Sequence, residues 1–193
     1  MVTLYHILKI MKYIVCITAT SNKRGLLSQI ISEIKEITKE QENNIEIIDL
    51  YNQYIVPCRG CKNCVIDKCN LSDSVCVIDQ KILQSDLVIL VAPTYFANVP
   101  GIVKNLFDRL YYRTKDNYRY KDKKYILVTS CDTPAPFHIL LKQSTGTVYA
   151  VKNFFYMVGI KKSGIITIAG AKKKKLLPYI TKKKLYKLIT RQI

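Results

Sequence analysis

The sequence predicts a doubly wound α/β domain, a five-stranded parallel sheet with helices on both faces. Three observations carry the prediction. Five short apolar runs rich in β-branched residues are spread along the 193 residues. Segments with helical periodicity separate them, which is the alternation that builds parallel sheets through right-handed crossovers. The run "LVILVA" is apolar at every position, as expected of a strand covered on both faces.

The elements follow in order. "KYIVCIT" (residues 12–18) is a buried strand, and the loop "ATSNKRG" follows it. In "LLSQIISEIKEITKE" (26–40) the apolar residues Leu26, Leu27, Ile30, Ile31, Ile34 and Ile37 recur at steps of three and four, so they share one face of a helix. "IEIIDL" (45–50) is the second strand, the cysteine-rich stretch comes next, and "DQKILQSD" (79–86) is a short helix. "LVILVA" (87–92) is strand three, "IVKNLFDRLYY" (102–112) a helix and "KYILVTS" (124–130) strand four. A helix lies within 139–157, its ends blurred by Gly146; "GIITIAG" (164–170) is strand five, and "LLPYITKKKLYKLI" (176–189) a closing basic helix.

Length and composition set the frame. A chain of 193 residues, 49% hydrophobic, fits one domain and buries roughly 70% of its unfolded surface without disulfide staples. Residues 11–193 are expected to be that domain and residues 1–10 an N-terminal extension, because "MKYIVCITAT" starts afresh at Met11. No apolar run approaches the ~20 residues of a spanning helix. The first lysine is Lys9 and no small-residue cleavage site follows, so the N-terminus does not read as a signal peptide, and a cytoplasmic location is expected.

In such sheets ligands bind where loops leave the carboxyl ends of the strands. Three loops qualify: residues 19–25, 93–100 and 130–137. The first stands before a helix start, whose free backbone N–H groups and positive dipole end suit a phosphate. Thr20, Ser21 and Asn22 add side-chain donors, but neither the triphosphate loop nor the dinucleotide fingerprint is present, and an ordinary N-capped helix fits as well. The second loop, "APTYFANVPG", sets Tyr95 and Phe96 between Pro93 and Pro100. Two adjacent aromatics can flank a planar ring, or simply pack in the core.

Five of the seven cysteines fall in "CRGCKNCVIDKCNLSDSVC" (58–76). In a reducing compartment, clustered thiols serve metal binding or redox chemistry more often than disulfides. Cys58, Cys61 and Cys64 have the C-x-x-C-x-x-C spacing that wraps a cubane cluster, and either Cys69 or Cys76 is a candidate fourth ligand. A four-cysteine zinc site and free thiols are the competing readings. Cys16, inside a strand, reads as core packing; His6 and His138 have no ligand pattern around them.

The motifs together resemble the flavodoxin-like NAD(P)H-dependent FMN reductases, and in particular their iron–sulfur flavoprotein branch. "CRGCKNC" is similar to that family's C-x-G-C-x-x-C. "PTYFANVPGIVKNLFDR" keeps Pro93, Tyr95, Phe96, Pro100, Gly101, Lys104, Asp108 and Arg109 in register with its P-x-Y-F-x-x-x-P-G-x-x-K-x-x-x-D-R. The phosphate loop departs from the family pattern at Ala19, Asn22, Leu26 and Leu27. The resemblance implies strand order 2-1-3-4-5 and FMN as cofactor. It places the phosphate at Thr20, Ser21, Asn22 and the backbone up to Leu26 and Leu27, and the ring against Pro93, Thr94, Tyr95 and Phe96, with Ser130 and Cys131 beside it. It further implies NAD(P)H as donor, a [4Fe–4S] cluster on the cysteine run, a small-molecule acceptor or a ferredoxin, and a homodimer or tetramer. No side chain is assigned to proton transfer.

The charge is uneven. Lys+Arg number 31 against 14 Asp+Glu, and from residue 161 onward eleven basic residues meet no acidic one. A basic surface interleaved with tyrosines, as in "RTKDNYRYKDKK", suits nucleic acid, an acidic redox partner or an anionic membrane surface, or is only a solvated face. The alternative function is therefore a non-enzymatic flavodoxin-like module that binds nucleic acid or a redox partner.

Overall fold

A computed structural model of the chain describes residues 11–66, 69–111 and 119–193. The expected extension at 1–10, with His6, and most of the tyrosine-rich stretch, 112–118, lie outside the described residues.

The sheet has five parallel strands in the order β2-β1-β3-β4-β5. They are β1 (Tyr13–Thr18), β2 (Asn44–Asp49), β3 (Leu87–Pro93), β4 (Lys124–Ser130) and β5 (Lys161–Ile168). The helices are α1 (Leu26–Glu40), α2 (Asn63–Ile66), α3 (Val75–Gln84), α4 (Gly101–Tyr111), α5 (Phe137–Leu140), α6 (Gln143–Met157) and α7 (Tyr179–Thr190).

Period-two alternation sorts the strands between two cores. Val15, Ile17, Val88, Leu90, Ala92, Tyr125 and Leu127 join Ile78, Val103, Leu106, Val151 and Phe155 under α3, α4 and α6. Ile14, Cys16, Leu87, Ile89, Val91, Ile126 and Val128 join Ile30, Ile34, Leu185 and Ile189 under α1 and α7. The middle of each central strand is apolar because both of its faces are covered.

Three boundaries differ from the sequence expectation by three residues or more. Strand β5 begins three residues earlier, because Lys161 and Lys162 pair with Lys124 and Tyr125 while their side chains stay exposed. The closing helix starts at Tyr179, with Pro178 extended at its N-cap. Helix α3 begins at Val75, four residues before the expected start, so Cys76 stands on a helix and not in a loop. Asp73 brings that start forward: its Oδ1 accepts from the backbone N–H of Val75 at 3.1 Å.

Candidate flavin and cysteine site

Strand order reverses between β1 and β3, so the loops after these two strands part and leave a crevice at the carboxyl edge. The first wall is residues 19–25 and the start of α1. Ala19 is tied to β3 by its N–H on Val91 O at 3.0 Å. Asn22 organises the turn: its Oδ1 accepts from Arg24 N–H at 3.0 Å, and its carbonyl accepts from Gly25 N–H at 3.1 Å and Ser28 Oγ–H at 2.6 Å. Gly25, the N-cap residue, supplies no side chain to the first-turn N–H groups. Those of residues 26–28 precede the first intrahelical bonds and remain available to an anion. The side chains of Leu26 and Leu27 are 7% and 4% exposed and pack in the core, so only their backbone faces the loop. Their departure from the family pattern thus puts no apolar group against a phosphate. Thr20 is half-buried, and Ser21, Asn22, Lys23 and Arg24 are exposed.

The second wall shows why two aromatics follow the strand. Tyr95 and Asn98 exchange backbone hydrogen bonds of 2.8 and 2.9 Å across a two-residue turn. Its central residues, Phe96 and Ala97, have φ of 48° and 59°. This is the geometry of a type I′ turn, normally filled by Asn and Gly. An aromatic there is strained by about 1–3 kcal/mol. The strain lifts Phe96 wholly into solvent and leaves Tyr95 half exposed, so the core-packing reading of these aromatics does not hold.

Gly146 of α6 supports the turn from behind. A Cβ on this residue would lie 2.0 Å from the carbonyl oxygen of Ala97, so only glycine lets the helix approach so closely. Thr94 is fixed by Thr129 Oγ1 at 3.1 Å and Thr147 Oγ1 at 3.0 Å, and its N–H donates to Ser130 O at 2.7 Å. Ser130 and Cys131 are buried at the rim, and the Cys131 thiol donates to Thr133 O at 3.5 Å. Burial, then the charge of Asp132, push that thiol's pKa up. His138, as expected, is structural: its Nδ1 bonds Ser144 Oγ at 2.6 Å.

Tyr51 was not among the sequence candidates. It lies in the turn after β2, half exposed and near enough to Tyr95 that, after burial, the Tyr95 charge raises its pKa. An aromatic just past the carboxyl end of a strand was the available signal.

The cysteine stretch is anchored at its stem. Ser74 N–H donates to Tyr54 O at 2.9 Å and Val56 N–H to Asp73 Oδ2 at 2.9 Å. Arg109 on α4 closes the stem from below, its guanidinium donating to Val56 O at 2.6 Å and forming a two-pronged pair with Asp73 at 2.5 and 3.1 Å. The side chains of this pair are 1% and 0% exposed. Asn105 Nδ2 adds a bond to Ile55 O at 3.2 Å. Asp73 and Arg109 were also missed as site residues. An arginine at Leu106+3 falls on the apolar face of α4, and such a misplaced charge is visible in the sequence.

Above the stem, the charges of three other cysteines bear on Cys64. Burial raises the Cys64 pKa, and the charge of Cys69 raises it further, followed by those of Cys58 and Cys61. Gly60 and Lys62, with φ of 66° and 61°, turn the backbone between them. Cys58 and Cys61 are exposed, Cys64 and Cys69 half-buried, and Cys76 is exposed on the first turn of α3. Among the described residues, no three of these side chains are close enough to hold a single metal ion. A four-iron cube carries its thiolates on outer corners, further apart than one ion does. Cysteine thiolates are the donor type a cube takes.

Residues 12–143 match the family of NADPH-dependent FMN reductases. The chain belongs to this family. The curated iron–sulfur flavoprotein of Archaeoglobus fulgidus is 33% identical over 117 residues, which are 61% of this chain and 58% of that protein. That of Methanosarcina thermophila is 30% identical over 108 residues, 55% of this chain and 56% of the relative. The chain thus matches little more than half the length of these relatives. Among solved structures, the NAD(P)H:quinone oxidoreductase of Methanothermobacter marburgensis superimposes with a TM-score of 0.75 at 15% identity, over 92% of this chain and 94% of that one. A Bacillus anthracis azoreductase does so at 0.70 and 14%, over 94% and 100%. At such identities the likeness is one of fold, and the flavodoxin-like sheet is shared. Among the described residues, no helix of this FMN reductase family member is long and apolar enough to cross a membrane.

Proposed function

We propose that this protein is an FMN-dependent oxidoreductase that takes electrons from NAD(P)H and delivers them to a small-molecule acceptor or a ferredoxin, with a [4Fe–4S] cluster as relay. The observation that carries the flavin reading is the strained turn at Phe96–Ala97. It holds an aromatic wholly in solvent beside a helix start whose N–H groups are free for a phosphate. Strain at an exposed aromatic lowers stability and is retained where a ligand repays it.

FMN, when bound, supplies a ring that accepts a hydride and gives up electrons singly or in pairs, and a cluster supplies the one-electron carrier. The chain's own groups do the rest. The first-turn N–H groups of α1 would bind the phosphate, with Thr20, Ser21 and Asn22 as side-chain donors. Lys23 and Arg24 add exposed positive charge to that end. Tyr95, Phe96 and Tyr51 would wall the ring and exclude water from it. Thr94, pinned by Thr129 and Thr147, would keep the turn fixed beside the ring. Cys58, Cys61 and Cys64 would ligate the cluster. Cys69 and Cys76 are the two candidates for the fourth ligand. The names of the curated relatives agree with a flavin and a cluster.

Protein loaded with FMN should oxidise NADH or NADPH in the presence of a quinone, faster than free FMN does at the same concentration. A folded, flavin-loaded protein with no rate above free FMN for either nucleotide would overturn the reductase reading.

A further inference from the structure

A cavity of about 470 Å³ lies at the amino edge of the sheet, between the turn before β4, the turn before β5 and the end of α6. Its volume is in the range of small-molecule sites. Backbone bonds fix its walls. Lys161 N–H donates to Lys123 O at 2.9 Å, Tyr120 N–H to Val158 O at 3.4 Å and Ile160 N–H to Phe155 O at 2.8 Å. Strand β5 is irregular here: Tyr125 is opposite Lys162 but Ile126 is opposite Gly164, so Ser163 is an extra residue. Such a bulge bends its strand and re-aims the neighbouring side chains. Tyr125 belongs to the cavity's lining. It is 2% exposed and its ring stacks on Phe155 at 4.2 Å, which fixes the side chain. Its hydroxyl has no hydrogen-bond partner among the described residues, and burial alone raises its pKa, to about 12. The one fully enclosed side-chain atom without a partner among the described residues is Arg109 Nε. The Tyr125 hydroxyl therefore borders open space, and that space is this cavity. It is a fixed donor with nothing to donate to.

Charge surrounds that donor. Lys121, Lys152, Lys161 and Lys162 line the cavity, with Asp122 as its one carboxylate. Among the described residues none of the four lysines forms an ion pair or a side-chain hydrogen bond, so four ammonium groups against one carboxylate leave the cavity electropositive. Tyr156, Ile160 and the apolar stems of the lysines supply its walls. We propose that this cavity binds a compact organic anion with a planar apolar body, an aromatic acid or a nucleoside monophosphate: Tyr156 and Ile160 take the body, the lysines hold the anionic group, and the Tyr125 hydroxyl donates to it. The lysines share one concave space and do not form a row along a surface, so the occupant is a single small molecule and not a nucleic-acid strand. The inference rests on neither the flavin nor the cluster reading. The flavin crevice is at the carboxyl ends of the same strands, roughly 20 Å away by the rise of the seven-residue β4.

The test is an NMR titration of the full-length, isotope-labelled protein with naphthalenesulfonate. The probe should shift the amide signals of Gly159, Ile160 and Lys161 and leave those of the first turn of α1 in place, with or without FMN. Neutral naphthol should bind at least about tenfold more weakly, since the lysines give it nothing. Tyr125→Phe keeps the ring stack and removes only the donor, and it should weaken binding about tenfold, as for one hydrogen bond to a charged group. Lys161→Ala combined with Lys162→Ala should weaken it at least as much. Lys183→Ala combined with Lys187→Ala, which removes two exposed charges from α7, should leave it unchanged. Competition by AMP at the same amides identifies a nucleotide as the occupant and its absence an aromatic acid; both support the site. Unchanged affinity in a folded Tyr125→Phe overturns the proposal, because a basic surface alone then accounts for the binding. Equal losses in the two lysine pairs overturn it as well, and this arm stands even if Tyr125→Phe does not fold. Equal affinity for naphthol, shifts at α1 that FMN abolishes, or no shift at millimolar probe likewise overturn it.

Discussion

Phe96 shows in one residue how stability and function oppose each other here. Its φ of 48° suits glycine or asparagine, and its ring makes no use of the core. Phe96→Gly should therefore stabilise the flavin-free protein by about 1 kcal/mol, since removal of the strain exceeds the entropic cost of glycine. The same change should weaken FMN binding. Thermal melts with and without FMN check both halves, and a variant that loses stability in the absence of flavin contradicts the strain argument. The motif around Phe96 was legible in the sequence as two aromatics between prolines. The direction they face was not, because it depends on a backbone conformation that neither residue favours. Gly146 was legible only as a blemish in a helix, since the Ala97 carbonyl it makes room for is some fifty residues away in sequence. Gly146→Ala should push the helix and turn apart, cost about 1–3 kcal/mol as other overpacked sites do, and weaken FMN binding with it.

Among the elements, α4 links the two halves of the site. Its apolar positions Val103, Leu106, Phe107 and Leu110 dock it on the sheet, and Arg109 uses the same face to hold the cysteine stem. Breaking a buried pair by removing one partner leaves the other charge uncompensated, at about 3–5 kcal/mol. Asp73→Ala should destabilise by that amount in chemical denaturation, and Lys104→Ala, at an exposed pair with Asp108 on the same helix, by less than 1 kcal/mol. Strand and helix order were readable from periodicity because each element's burial is simple: two faces for a strand, one for a helix. The start of α3 was not, because it is set by a cap from Asp73 that the apolar pattern does not record.

At the scale of the whole molecule, burial governs the response to alkali. Cys16 and Tyr125 lie in the two cores, and burial raises both to about 12, from 9.0 and 10.0. Tyr13 rises to about 12 as well, through burial and then Glu46. A group whose pKa is raised in the folded state contributes stability that is full below its unfolded pKa and is lost as pH climbs toward the folded one. Stability should hold to about pH 9 and decline up to pH 12. Tyr125→Phe, which keeps the ring stacked 4.2 Å from Phe155, should flatten that decline between pH 10 and 12 in alkaline denaturation curves. The net charge of +17 resides largely on solvated lysines, among them the row on α7, where Lys182 meets Glu33 at 2.7 Å. If an acidic redox protein is the acceptor, the reaction rate should fall steeply with added salt, whereas the rate with a neutral quinone should not. The crevice between the first turn of α1 and the Phe96 turn is the proposed FMN site. It is tested most directly by titrating FMN with the folded protein and following flavin fluorescence. Quenching should saturate at micromolar protein and be weakened in Phe96→Gly; fluorescence that stays at the level of free FMN with wild-type protein would contradict FMN binding there.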